Sequence, residues 1–306
     1  MRQFTAAITG LFLLLVACAS AQRRQQPSAD LVELDVVVLD RDDQPIRDLR
    51  QEEFEVKEDG RRVAIKTFAS VSALGTADPD DARSVVLLLD DAGVGMTGTS
   101  AMKAIAKVLL SPSAAGDDIA VVRLNGHSDE AYGDVSSAIA RIDSYHGGAV
   151  PFNRRQTQQD VLTAVARIAR DLEPLEHRRK VIICLGMPGV CDIDEPANGA
   201  YSELWPHWVA AISAAAQANV SFYRVDPTGL TQRHVTSGLG LVTVTGGAVF
   251  ANSNDFYRTA ARLWSDAGHY YLLGYWPAGT SQPLHSIDVK VARKGAQVRA
   301  RQRRGP

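Results

Sequence analysis

Hydrophobic and polar positions along this chain change their period twice. Val32, Leu34, Val36 and Val38 alternate with Glu33, Asp35 and Val37, the period-two signature of a half-buried strand. Asp42-Asp43-Gln44-Pro45 reads as a turn. Phe54-Glu55-Val56 leads to Asp59-Gly60, a hairpin signal, and on to Val63 through Phe68. A polar linker, Gly75 to Arg83, follows. The middle then reads differently. Val85 to Leu89 is a continuous apolar run, as expected of a strand buried on both faces. Thr99 or Ser100 is placed to cap a helix with Met102, Ile105, Ala106, Leu109 and Leu110 on one face. The pattern next predicts strand Ile119–Leu124, helix Gln158–Leu172, strand Val181–Leu185, helix Leu204–Ala218 and strand Val220–Val225. A short helix near Val235–Leu241 precedes Gly246-Gly247, strand Ala248–Phe250, helix Asp255–Ser265 and strand Tyr270–Leu273. Strands alternating with helices define an α/β fold, a mostly parallel sheet with helices on both faces. Period two returns at the end. Ile287, Val289 and Val291 alternate with Asp288 and Lys290, Lys294-Gly295 turns the chain, and Val298 and Ala300 alternate with Arg299 and Arg301.

These patterns divide the chain into an N-terminal β flank at 30–72, an α/β domain at 84–276 and a C-terminal β hairpin at 277–302. The two flanks carry opposite charge. Residues 30–60 hold 12 acidic and 4 basic side chains, and residues 285–306 hold 7 basic and 1 acidic. Neither flank has enough strands to be stable alone. A composite β-rich domain, built from both ends of the chain around the α/β insertion, would bury both apolar faces and pair the charges across strands. Two independent, solvated faces are the other reading.

The first residues read as an address. Arg2 is a positive start, Ala6 to Ala17 is apolar apart from Thr9 and Gly10, and Ala19-Ser20-Ala21 is a small-residue cleavage pattern. This is a signal peptide, 1–21, and its apolar stretch is too short to span a bilayer. Leu15-Val16-Ala17-Cys18 also matches a lipobox. Lipidation of Cys18 would tether the protein to a membrane without a transmembrane helix. A lipoprotein of the periplasm or outer membrane and a freely secreted protein both remain open.

Composition adds exclusions. The 306 residues are 45% hydrophobic and 22% charged, with 33 Lys+Arg against 35 Asp+Glu and a net charge of −2. That balance offers no global attraction for nucleic acid, and the apolar fraction excludes disorder. Of the three cysteines, Cys18 belongs to the export signal, leaving Cys184 and Cys191. In an oxidising compartment these two can pair, with Met187-Pro188-Gly189 reversing the chain between them. The alternative is a buried thiol at Cys184 and an unrelated loop thiol at Cys191.

Chemistry in open α/β sheets sits at the carboxyl ends of strands, which directs attention to Leu89-Asp90-Asp91-Ala92-Gly93-Val94-Gly95-Met96-Thr97-Gly98. Gly93-x-Gly95-x-x-Gly98 is literally the dinucleotide fingerprint between strand and helix, which would make an NAD(P)-binding oxidoreductase. Asp90 and Asp91 would repel a pyrophosphate there, and the next strand ends Arg123-Leu124-Asn125 without an acidic ribose ligand. No H-E-x-x-H, Walker A or G-x-S-x-G motif is present. His127-Ser128-Asp129 is contiguous, which does not make a triad. His207, His234 and His269 are scattered, and Tyr201, Trp205 and Trp208 at helical spacing suit core packing better than a ligand platform.

The apolar strand, Asp90, and a small-residue turn ending in Gly95-Met96 resemble the start of a von Willebrand factor type A (VWA) domain. The wider chain resembles the acidobacterial VWA-related exported proteins. Val36-Val37-Val38-Leu39-Asp40 with Asp43, Pro45, Ile46 and Leu49 is similar to their opening, and Glu53-Phe54-Glu55-Val56-Lys57-Glu58-Asp59-Gly60 to their "DFEVYEDG" signature. Thr245-Gly246-Gly247, the block Tyr270 to Pro277, and the closing His285-x-Ile287-x-Val289-x-Val291 and Val298 to Arg301 follow in the right order. The resemblance implies a VWA-like fold and a metal-ion-dependent adhesion site, whose Asp-x-Ser-x-Ser, separate Thr and separate Asp would hold Mg²⁺ through oxygens. This chain keeps Asp90 at the first position. Ala92 and Val94 replace the serines, Ala149 stands after Gly147-Gly148 where the Thr is expected, and Gly186 stands at the third position.

The expectation is therefore a degenerate site without tight metal, Mg²⁺ binding being at most weak, and a non-catalytic, exported protein-binding module rather than an enzyme. Its binding face would comprise Asp90, Asp91, an exposed Val94 and Met96, with Asp192 and Asp194 in an acidic loop beyond Gly186. Its partner would be a protein or a cell-surface polymer, not nucleic acid, and it would meet a membrane only through a lipid anchor. A Mg²⁺-dependent adhesion module is the alternative from the same resemblance.

Overall fold

The continuous apolar runs of the middle segment become the centre of a parallel sheet. The computed structural model describes residues 31–72, 82–124, 131–148, 153–175, 179–197, 199–231, 240–277, 279 and 282–305. The chain begins β1 (Val32–Leu39), β2 (Phe54–Glu58), β3 (Arg61–Val63), β4 (Ile65–Ser72) and β5 (Arg83–Leu89). It continues α1 (Thr99–Leu110), β6 (Asp118–Arg123), α2 (Val135–Asp143), α3 (Arg154–Leu172), β7 (Arg179–Leu185), α4 (Trp205–Gln217) and β8 (Val220–Val225). It closes α5 (Leu241–Val244), β9 (Val249–Phe250), α6 (Phe256–Gly268), β10 (His269–Tyr275), β11 (His285–Val291), β12 (Gln297–Arg299) and β13 (Arg303–Arg304). The export signal with Cys18, residues 75–81 of the linker, His127-Ser128-Asp129, Ala149, His234 and residues 235–239 of the expected short helix lie outside the described residues.

Five strands form a parallel sheet in the order β6-β5-β7-β8-β9. Their side chains alternate between two cores. Val86, Leu88, Ile182, Cys184, Val220 and Phe222 pack under α3, α4 and α5, while Val85, Leu87, Val181, Ile183, Leu185 and Tyr223 pack under α1, α2 and α6. Burial on both faces is the physical reason these strands read as unbroken apolar runs. The protein is thus mixed α/β, a five-stranded parallel sheet flanked by helices and joined to antiparallel sheets.

The ends of the chain meet in two antiparallel sheets, β12-β1-β10-β4 and β13-β11-β2-β3. They share one core of Leu34, Val36, Val38, Phe54, Val56, Tyr271, Leu273, Tyr275 and Ile287. N- and C-terminal flanks pair directly, Val56 opposite Val289 and Val38 opposite Val298. The opposite charges also meet, through Arg304–Glu58 at 2.5 Å, His285–Asp59 at 2.8 Å and Arg293 with Asp48 and Glu53 at 3.1 and 2.9 Å.

Several sequence expectations are corrected. The strand at 270–273, expected among the parallel strands, is β10, and it lies antiparallel between β1 and β4. Tyr271, Leu273 and Tyr275 enter the shared β core while Tyr270 and Leu272 pack on the opposite face with Val37, Leu39 and Val71. Burial on both faces makes an apolar run whatever the direction of the neighbouring strand. The C-terminal segment is not a self-paired hairpin: β11 pairs with β2 and β13, and β12 with β1. The turn at Gly295 (φ 81°) carries the chain from one sheet to the other, because both sides of the turn feed one core. Thr99 and Ser100 do not cap α1. A 3-10 turn, Met96–Gly98, precedes it, and Thr99 lies inside the helix. α2, unforeseen, starts at Asp134, whose carboxylate accepts from Ser137 N–H.

Residues 31–306 form one compact unit. Buried ion pairs join its two halves. Arg179, at the start of β7, reaches Asp35 of β1 at 2.6 Å, donates to the Tyr223 hydroxyl at 2.9 Å and lies over the Tyr270 ring at 4.9 Å. Arg299 of β12 reaches Asp266 of α6 at 2.8 Å. These contacts lie at the amino ends of the parallel strands. No described helix is long and apolar enough to cross a membrane.

Candidate functional site

Strand order reverses between β5 and β7, and the loops that leave their carboxyl ends define the switch point where ligands of open α/β sheets bind. Asp90 leaves β5 there and is almost fully buried. One carboxylate oxygen accepts from the Ala92 and Gly93 amides at 3.0 and 2.6 Å; the other accepts from the Met187 amide at 2.9 Å. Its backbone carbonyl accepts from the Tyr145 hydroxyl at 2.6 Å. Burial pushes the Asp90 carboxyl above the ordinary carboxylate range. The amide bonds from Gly93, Met187 and Ala92 oppose that rise, and neighbouring Asp91 adds to it.

The loops around Asp90 are closely fitted. Gly148 N–H donates to the Asp91 carbonyl at 2.9 Å, and Gly147 N–H to the Thr99 hydroxyl at 3.0 Å. A Cβ on Gly147 would meet the Val94 carbonyl at 2.3 Å. A Cβ on Gly186 would meet Cys191 Sγ at 2.8 Å and Asp90 Cβ at 3.2 Å. Cys184 and Cys191 form the disulfide that closes the β7 exit loop, and both are buried in the core under α3 and α4. Of the two readings the cysteines allowed, the pair is the one found.

These residues do not fit an oxygen-ligated Mg²⁺ ion. Ala92, Val94 and Gly186 carry no side-chain oxygen, the Asp90 oxygens are taken by three amides, and Gly186 has no room for a side chain. Among the described residues no three His, Cys, Asp or Glu side chains gather as a metal cluster. The amides of Ala92 and Gly93, which the glycine fingerprint would aim at a pyrophosphate, are bound to Asp90 instead.

The expected binding face is only partly assembled. Asp90 and Asp91 are buried, and Val94, expected to be exposed, is 3% exposed and packs into the core with Met102 and Tyr145. The turn under Gly147 folds it inward. Met96 is 81% exposed. In the acidic loop Asp194 is exposed, as expected of the binding face, whereas Asp192 is half-buried, and Val190, Cys191 and Ile193 anchor the loop in the core. Asp192 accepts from Gly189 N–H at 2.8 Å and lies 2.8 Å from Arg224 Nε. Arg224 is fully buried, its N–H groups poorly aligned on Asp192 and Asp226. Trp208 is buried core and Trp205 packs against it.

Sequence reasoning missed two members of this edge. Leu230, on the β8 exit loop, is 67% exposed, and Tyr257, at the start of α6 after β9, is 71% exposed. Leu230 N–H donates to the Asn254 side chain at 2.9 Å, tying the two exit loops together. With Met96 they make three of the four exposed large hydrophobics found among the described residues. Isolated apolar residues in loops carry no periodic signal, so only the parallel topology brings them to one edge.

No protein-family model and no curated protein matches the chain. Among solved structures it is similar to the D319A mutant of the PilB minor pilin from Streptococcus sanguinis, at 9% identity and a TM-score of 0.37, over 58% of this chain and 59% of that one. The chain thus spans under two thirds of that neighbour, and the likeness carries no argument about function.

Proposed function

We propose that this chain is an exported, non-catalytic binding module of VWA-like architecture, in which the metal-ion-dependent adhesion site has become an internally bonded carboxylate. The observation that carries the reading is Asp90: the acid that the resemblance implies as first metal ligand spends both oxygens on Ala92, Gly93 and Met187 amides. The acid then holds two loops together instead of binding an ion. The exposed Met96, Leu230 and Tyr257, on loops at the same carboxyl edge of the sheet, suit direct apolar contact with a protein or cell-surface polymer. The Cys184–Cys191 disulfide supports an oxidising compartment, in keeping with the export signal and, with Cys18, membrane tethering.

Calorimetry with Mg²⁺ and Mn²⁺ tests the metal-free part. The expected result is no micromolar binding; micromolar binding abolished by Asp90→Ala would overturn it. The binding face is tested by retention of envelope components on immobilised protein. Components held by the wild type and lost with Met96→Glu support the face, whereas retention indifferent to Met96→Glu and Tyr257→Ala would refute it.

A further inference from the structure

The parallel sheet ends in an open edge. Arg224 N–H donates to the Ala248 carbonyl at 3.0 Å and Asp226 N–H to the Phe250 carbonyl at 2.9 Å. Ala248 and Phe250 therefore face β8, and alternation along the strand turns the N–H and C=O of Val249 outward. Among the described residues neither group has a hydrogen-bond partner, and β9 has no strand on its far side. This edge borders a cleft of about 910 Å³, formed by the loop 188–194, residues 240–252 and the C-terminal residues 298–302. That volume is at the upper end of ordinary ligand clefts.

The charges lining the cleft are almost all committed. Arg299 is paired with Asp266 at 2.8 Å and Asp192 with Arg224 at 2.8 Å, and Asp194 is engaged as well. Arg154 is the exception. It lines the cleft from the first turn of α3, is exposed, and among the described residues has no ion pair or hydrogen bond. The positive end of the 19-residue helix α3 adds to its field.

We propose that this cleft takes up an extended, acidic peptide segment as a strand added to β9. Val249 offers the main-chain donor and acceptor that strand addition uses, and Arg154 selects a carboxylate at one end of the peptide. A single extended chain is one strand wide and enters a cleft, whereas a folded second copy would have to bring its whole surface to a recessed, two-residue edge. The site is separate from the Met96, Leu230 and Tyr257 edge and stands or falls independently of the proposed function.

Fluorescence anisotropy with the full chain tests the proposal. The probe is a fluorescein-labelled octapeptide of alternating valine and threonine ending in two glutamates, compared with the same peptide ending in two lysines. The expected result is saturable binding of the acidic probe, with the lysine probe about tenfold weaker or worse, a difference of about 1.4 kcal/mol. Val249→Pro, which deletes the outward N–H, and Arg154→Glu should each weaken the acidic probe by about tenfold. Val249→Ala keeps the N–H and should bind like the wild type, as should Met96→Glu. The proposal is overturned if the acidic probe does not bind, if both probes bind equally, or if Val249→Ala weakens binding as much as Val249→Pro. Sedimentation showing a dimer that Val249→Pro dissociates would assign the edge to a second copy and also overturn it.

Discussion

Replacing Asp90 separates a structural acid from a metal ligand. Asp90→Ala removes the acceptor of three amide donors, at 3.0, 2.6 and 2.9 Å. Hydrogen bonds to a charged group contribute roughly 1.5–3 kcal/mol each. Part of that is offset, because the substitution also removes a carboxylate whose burial is unfavourable. The expected net loss is about 3 kcal/mol, a fall of about 6–12 °C in Tm for a unit of this size. Asp90→Asn should cost about half as much. Its carbonyl can still accept from Ala92 and Gly93, but its amide would turn a donor toward the Met187 N–H. The pH dependence has a definite sign. The folded pKa of Asp90 lies above its ordinary value of 3.8, so its contribution to stability is fully present below 3.8 and is lost as pH rises through the folded pKa. Wild type should therefore lose stability relative to Asp90→Asn over that window. Urea denaturation followed by circular dichroism, with and without excess MgCl₂, measures all three effects. An Asp90→Ala variant as stable as wild type without metal, together with a wild type that Mg²⁺ stabilises, would show that Asp90 is a ligand and that the reasoning is wrong.

Three further expectations follow from other parts of the molecule. Asp35→Ala strands the buried Arg179 guanidinium and should cost about 3–5 kcal/mol in chemical denaturation, most of it recovered in the Asp35→Leu, Arg179→Met double variant; an Asp35→Ala variant of unchanged midpoint would mean the pair does not join the two halves. Replacing both Cys184 and Cys191 by serine opens a loop of sequence separation 7 and should cost about 2–3 kcal/mol. Faster hydrogen exchange at the Met187 amide than in the wild type is the specific sign that the disulfide supports the Asp90 loops. Cys18→Ala should move the protein from the membrane fraction to the soluble fraction on cell fractionation, and unchanged partitioning would remove the lipid anchor from the proposal.

The buried strands and the union of the flanks were legible because each rests on local pattern or on charge. Val85 to Leu89 and Val181 to Leu185 needed only their apolar continuity, and the buried face of α1 only its helical spacing. The acidic start and basic end pointed to each other. The site was less legible. Asp90 was found from its place at a strand end, but its amide partner Met187 is 97 residues away, and no local pattern encodes that contact. Val94 was placed outside because an apolar residue in a glycine-rich turn gives no sign of which way the turn folds.

What the amino-acid order determined by itself is the alternation of buried and exposed positions, hence which segments are strands and helices and which residues could offer oxygen, thiol or charge. What only the tertiary structure decided is partnership. It placed β10 between β1 and β4, split the closing segment between two sheets, closed three amides on Asp90, and left Val249 at an open edge. Periodicity records how much of a segment is buried, whereas the identity of its neighbours depends on loops and packing that bring distant segments together. The same apolar run satisfies either a parallel or an antiparallel partner.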